Sequence, residues 1–170
     1  ALDLLDKRLV TDQLVLTVGY DRENLANYRG EMMTDRYGRK IPKHAHGTTN
    51  LGKMTSSTKI IMEHIEKLYD DIINKDLLVR RMNVVANHII RQEDVVEKKD
   101  FEQLDLFTDY GEIEKQKQEE KLRLEKEKRL QKAMIVVKKK YGKNAILKGM
   151  NLEEGATAME RNRQIGGHRA

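Results

Sequence analysis

Apolar positions repeat with different periods along the chain. At the start, Leu2, Leu5 and Leu9 recur at helical spacing, so residues 1–9 read as the end of a helix. From 12 to 21 the period falls to two. Leu14, Leu16, Val18 and Tyr20 alternate with Gln13, Val15, Thr17 and Gly19, the pattern of a strand with one buried face. Residues 22–42 are polar and aperiodic, with a turn at Tyr37-Gly38-Arg39 and Pro42 as a stop. Residues 44–55 form a weaker, Thr-rich strand interrupted by Gly47 and Gly52. Ser56 or Ser57 then caps a helix to about Ile73, its hydroxyl accepting a first-turn amide, with Ile61, Ile65, Leu68 and Ile72 on one face. Residues 77–91 are the clearest strand: Leu78, Met82, Val84, Ala86 and Ile90 point one way, and Arg81, Asn83 and Asn87 the other.

These elements predict an α+β fold, a small sheet of three or four strands with two helices covering one face, ending near Gln92. Three strands are placed; the fourth has no distinct signature. The uncovered face carries Thr17, Arg81, Asn83 and Asn87. The chain then divides into an acidic linker (93–111), a long charged helix (112–142) ended by Gly142, and a basic tail (143–170). In the tail, Asn151 and Glu154 have capping-box spacing for a short helix over Ala156–Asn162, with Gly166-Gly167 ending it. In the long helix Leu122, Leu124 and Leu130 do not keep a heptad register, so a coiled coil is not expected and the chain is read as a monomer.

Composition narrows the picture. Of 170 residues 38% are hydrophobic and 36% charged, which supports a small core and a large solvated remainder. The chain starts at Ala1 and its first apolar stretch has no cap, so we expect it to belong to a longer protein. Cysteine is absent, which excludes disulfides and thiolate metal sites. No apolar run approaches the roughly 20 residues of a membrane helix, and the start lacks a signal-peptide pattern; a cytoplasmic location is expected. Charge is unevenly placed within a net of +5. Arg36 to Lys59 holds six cations and no acid, whereas Glu93 to Glu114 holds nine acids against Lys98 and Lys99. A basic surface followed by an acidic connector suits an anionic partner for the first segment only.

Two segments carry candidate chemistry. In the acidic connector, Gln103-Leu104-Asp105-Leu106-Phe107 places apolar side chains where nothing nearby in the sequence would bury them, so they are candidates for a partner's pocket. Burying Leu106 and Phe107 is worth roughly 3–6 kcal/mol before ordering costs. Micromolar affinity needs about 8 kcal/mol, so the dock is weak and reversible. The other reading is a satellite strand packed on the sheet. The second segment is Lys53-Met54-Thr55-Ser56-Ser57-Thr58-Lys59, where helix-start amides, hydroxyls and two lysines make a phosphate site, or an ordinary cap with solvated lysines. His44 and His46 lie two apart, but no third ligand completes a metal set.

The pentapeptide resembles the bacterial sliding-clamp-binding motif Gln-Leu-x-Leu-Phe at every position. The blocks Leu9–Leu16, Lys43–Thr48 and Leu77–Asn83 resemble the little-finger domain of Y-family translesion DNA polymerases, in particular the UmuC/DinB-like proteins of Gram-positive bacteria. Asn144–Leu152 and Ile165–His168 resemble the tails of that group. The resemblance implies a little-finger-like, DNA-gripping module within an error-prone DNA-directed DNA polymerase of DNA repair and the SOS response. Its partners would be template-primer DNA and the β sliding clamp. Two magnesium ions are expected in a palm domain outside this sequence; no catalytic or metal-binding residue is assigned within it. The candidate DNA contacts are Lys43, Lys53, Thr55, Ser56, Ser57, Lys59, Arg80 and Arg81, and the candidate clamp contacts are Gln103, Leu104, Asp105, Leu106 and Phe107. The competing reading is a non-catalytic nucleic-acid-binding adaptor or scaffold with a charged helical tail. An independent nuclease would need clustered carboxylates on a folded scaffold, and most acids here fall in the linker and charged helix.

Overall fold

The computed structural model describes residues 1–96, 110–165 and 168–169. The chain divides into two compact units, Asp3–Phe101 and Glu102–Ala170.

In the first unit, strand β1 (Leu9–Tyr20) lies at the centre of an antiparallel sheet, between β4 (Ala45–Thr55) and β5 (Val79–Asn87). Its burial alternates as the period of two dictates: Leu14, Leu16, Val18 and Tyr20 are buried, while Gln13, Val15, Thr17 and Gly19 are half-buried on the other face. The fourth strand is β6 (Ile90–Arg91), which pairs with Val10 and Leu9 in the register that already opposes Gln13 to Asn87. β6 thus continues β5 across a break at His88-Ile89, where His88 takes a φ of 50°. Thr11, fully buried, fills the break: its hydroxyl bonds to the carbonyl of Asn87 and lies 3.0 Å from that of Gln13. A break held by one hydroxyl explains why sequence pattern alone did not separate this strand.

Two helices lie on the apolar face. Helix α1 (Leu2–Asp6) places Leu4 against Leu14, Leu51 and Ile61. Helix α2 (Thr58–Ile72) sets Ile65, Leu68 and Ile72 over Leu16, Val18 and Tyr20. Ser57 is its cap, accepting from the Ile60 amide at 3.3 Å. The helix can lie this close because β4 carries Gly47: a β-carbon there would stand 2.8 Å from Leu68 Cδ1 and 3.0 Å from Ile72 Cγ2. The other end of α2 is tied down where the Asn74 amide donates to the Tyr20 hydroxyl at 2.9 Å.

The expectation that helices cover the whole apolar face fails at β5. Met82 and Val84 pair with buried Val18 and Leu16, yet remain 58% and 52% exposed. Helix α2 packs on β4 and β1, one strand away.

The segment 22–42 has more structure than its composition suggested. A short 3-10 turn (Arg22–Ala26) is followed by a hairpin of β2 (Met32–Thr34) and β3 (Lys40–Pro42). Pro42, buried and opposite Met32, is the last residue of β3 and so does mark a stop, but of a strand rather than of an irregular stretch. Asp35 organises the turn: its Oδ1 accepts from the amides of Tyr37 and Arg39 at 2.8 and 2.9 Å, and Oδ2 accepts from Arg39 Nε at 2.8 Å.

In the second unit, α3 (Tyr110–Tyr141) ends at Gly142, whose φ of 93° is the left-handed stop that glycine allows. The capping-box expectation does not hold. Asn151 belongs to a 3-10 turn (Gly149–Leu152), and α4 starts only at Ala158 and runs to Asn162, with Thr157 before it giving no side-chain cap. Asparagines hold α4 instead: Asn162 Nδ2 donates to Asn144 Oδ1 at 2.7 Å, and Asn144 Nδ2 to the Met159 carbonyl at 3.3 Å. A two-residue pairing of β7 (Gln164–Ile165) with β8 (His168–Arg169) follows. Gly166 and Gly167 lie outside the described residues, as does the whole pentapeptide Gln103–Phe107. Among the described residues no helix is long and apolar enough to cross a membrane.

Candidate nucleic-acid interface

The polar face of the first unit's sheet is built in rows by the pairing of its strands. Facing residues of antiparallel neighbours share a side, so the register fixes which side chains meet. Gln13 opposes Asn50 of β4 and Asn87 of β5. The three amides link across the strands: Asn87 Nδ2 donates to Gln13 Oε1 and Gln13 Nε2 to Asn50 Oδ1, each at 3.0 Å. Two residues along β1, Val15 stands between Thr48 and Val85. Next comes Thr17, between His46 and Asn83, with its hydroxyl 3.0 Å from His46 Nδ1.

The last row pairs Gly19 with Arg81. Gly19 has no side chain, so the Arg81 stem lies across it; a β-carbon on Gly19 would stand 3.2 Å from Arg81 Cγ. The register then slips, with Tyr20 opposite Val79, and Arg80 is the extra residue of this bulge. Both arginines are exposed. These four rows contain no carboxylate. The face therefore presents hydrogen-bonding side chains on either side of an apolar pair, Val15 and Val85, with one arginine lying on it and another at its bulged edge.

The remaining candidate contacts lie off this face or have other partners. Lys43, exposed between β3 and β4, has its Nζ 2.9 Å from Glu31 Oε1. Lys59, in the first turn of α2, lies 3.7 Å from Glu63. Lys53 is exposed near the end of β4. Thr55 is buried, and its hydroxyl accepts from the Ser57 amide at 3.0 Å; Ser57 in turn caps α2, and Ser56 between them is half-buried. Hydroxyls engaged in the turn are less available to a phosphate than the segment suggested.

The structure thus brings Arg81, Thr17, Asn83 and Asn87 onto one face, as their alternation required, and adds Gln13, Asn50 and His46 to it. Alternation already set Gln13 opposite the buried residues of its strand, but its link to Asn50 was not readable, because period two shows that a residue is on the polar side and not which residue faces it. That depends on the pairing of strands 37 positions apart.

His44 and His46 pack edge to face with ring centroids 6.2 Å apart, and His44 Nδ1 lies 3.0 Å from Met33 Sδ. Among the described residues no group of three His, Cys, Asp or Glu is placed to hold a metal ion. Among the described residues the one clearly shifted side chain is Asp35, whose carboxyl is held down to about 2, mainly by the hydrogen bond from the Arg39 side chain and then by the Arg39 amide.

Compared with protein-family models, curated proteins and solved structures, the chain has no match in any of the three.

Proposed function

We propose that the first unit grips duplex or primer-template DNA through the polar face of its sheet, and that Gln103–Phe107 tethers the chain to a ring-shaped sliding clamp. On this reading the chain is the C-terminal, non-catalytic part of a Y-family translesion polymerase acting in damage tolerance. Nucleotidyl transfer and its two magnesium ions belong to other domains of that protein.

The observation that carries the DNA reading is the four-row polar face, free of carboxylates and bearing Arg81. A phosphate backbone is repelled by acidic side chains and attracted to guanidinium, so a surface whose rows exclude one and display the other suits it. The acidic linker beginning at Glu93 and Asp94 would be driven off the same ligand, leaving the tether free for a protein partner.

The test is fluorescence anisotropy of a labelled primer-template titrated with the chain over a series of salt concentrations. With three to five phosphate contacts, log affinity falls against log salt with a slope of roughly −3 to −5. Absence of binding at low salt, or binding indifferent to salt, would remove the proposal.

A further inference from the structure

Resting on that reading, we infer that the amide row Asn50–Gln13–Asn87 is an uncharged half of the DNA contact, with Asn50 donating to backbone oxygens at the edge of the face opposite Arg81. The two residues stand on the two outer strands of the face: Asn50 on β4, Arg81 on β5, with β1 between them.

The row is directional. Asn87 gives its amino group to Gln13, and Gln13 gives its own to Asn50 Oδ1. Asn50 Nδ2 is left at the end of the relay, on an exposed side chain, with no hydrogen-bond partner among the described residues. Linked amides polarise one another, and each is held in place by its neighbour. The donors at Asn50 are therefore preorganised, so little side-chain freedom is lost when they meet an acceptor. With no carboxylate on this face, the acceptor they suit is one brought from outside. Phosphate ester oxygens fit, because an acceptor bearing charge strengthens a neutral donor's bond.

A neutral donor releases no counterion when it binds. Its contribution persists as salt rises, unlike that of Arg81. The experiment is the same titration with Asn50→Ala and Arg81→Ala, each on an AT-rich and a GC-rich duplex. For Asn50→Ala the log–log line should run parallel to that of the unsubstituted chain and about tenfold weaker, equally on both duplexes. For Arg81→Ala the slope should shrink by about one. Asn50→Asp is the second variant: it keeps the oxygen that Gln13 needs but replaces both outward donors with a charge that repels phosphate, so it should bind still more weakly than Asn50→Ala while melting at an unchanged temperature.

Superimposed lines for Asn50→Ala and the unsubstituted chain would overturn the inference and leave the DNA reading standing. A loss confined to one duplex would overturn it too, since the row would then read bases. Failure of the unsubstituted chain to bind at all would instead overturn the reading beneath it.

Discussion

Arg81 lies across Gly19 on the neighbouring strand, its Cγ 3.2 Å from where a β-carbon of Gly19 would be. A valine at position 19 would fill that space and lift the arginine stem off the sheet. Val is also a better strand residue than Gly, so the fold should not weaken. Gly19→Val should therefore lower DNA affinity several-fold without lowering the urea midpoint. Anisotropy and urea denaturation on the same sample check the two halves. Lost affinity together with a lowered midpoint would mean that the glycine serves packing alone.

Thr11 should be the most sensitive polar residue of the first unit. It is fully buried, and its hydroxyl serves carbonyls left by the break between β5 and β6. Thr11→Val keeps the shape and removes the donor, leaving a buried carbonyl unsatisfied at a cost of about 1–3 kcal/mol. Chemical denaturation measures that cost. Amide hydrogen exchange should localise the loosening to β6.

Asp35 gives the β2–β3 hairpin a defined acid response. Its folded-state carboxyl is depressed from 3.8 to about 2, first by the Arg39 side chain and next by the Arg39 amide. A depressed acid supports the folded form above the unfolded value and loses that support as pH falls through the folded one. The carboxylate's support of the turn should thus be complete from neutral pH to near 4 and be lost between about 4 and 2. An NMR titration following the Tyr37 and Arg39 amides reads this directly. In Arg39→Ala the Asp35 carboxyl should titrate at higher pH.

The tether makes a separate prediction. Replacing both Leu106 and Phe107 with alanine should abolish binding to a bacterial sliding clamp, measured by surface plasmon resonance, while the DNA titration stays unchanged. The two readouts are independent because the apolar pentapeptide and the polar sheet face offer different chemistry to different partners. Simultaneous loss of both would mean that the pentapeptide belongs to the fold.

The strands of the first unit were legible because burial imposes period two on β1, and Ser57 and the α2 stripe were legible because caps and helical spacing are local. The β2–β3 hairpin was legible only at its turn, Tyr37-Gly38-Arg39; its strands are too short to show a period, and the Asp35 carboxylate that accepts two amides there leaves no mark in a hydrophobic pattern. The α4 start was misread because a capping box describes side chains in reach of their own helix, whereas Asn144 holds α4 from 15 or more residues upstream. On the interface, Arg81 was readable from alternation. The Asn50–Gln13–Asn87 relay was not, since it needs the register of three strands. For Thr55 the sequence showed a hydroxyl in a basic segment, but not that it is buried and accepts from the Ser57 amide, which depends on the turn.

The placement of β6 has a mechanical consequence. Leu9 pairs with Arg91, and the Gln92 amide donates to the Arg8 carbonyl at 2.9 Å, so entry to and exit from the sheet are clasped at one end. Tension drawn between the residues before Arg8 and those after Gln92 would load the β1–β6–β5 pairs in sequence, like a zipper. Such a seam parts under far less force than strands sheared lengthwise. A pull along the tether would open β6 first, and Thr11 is the tooth that must yield before β5 follows.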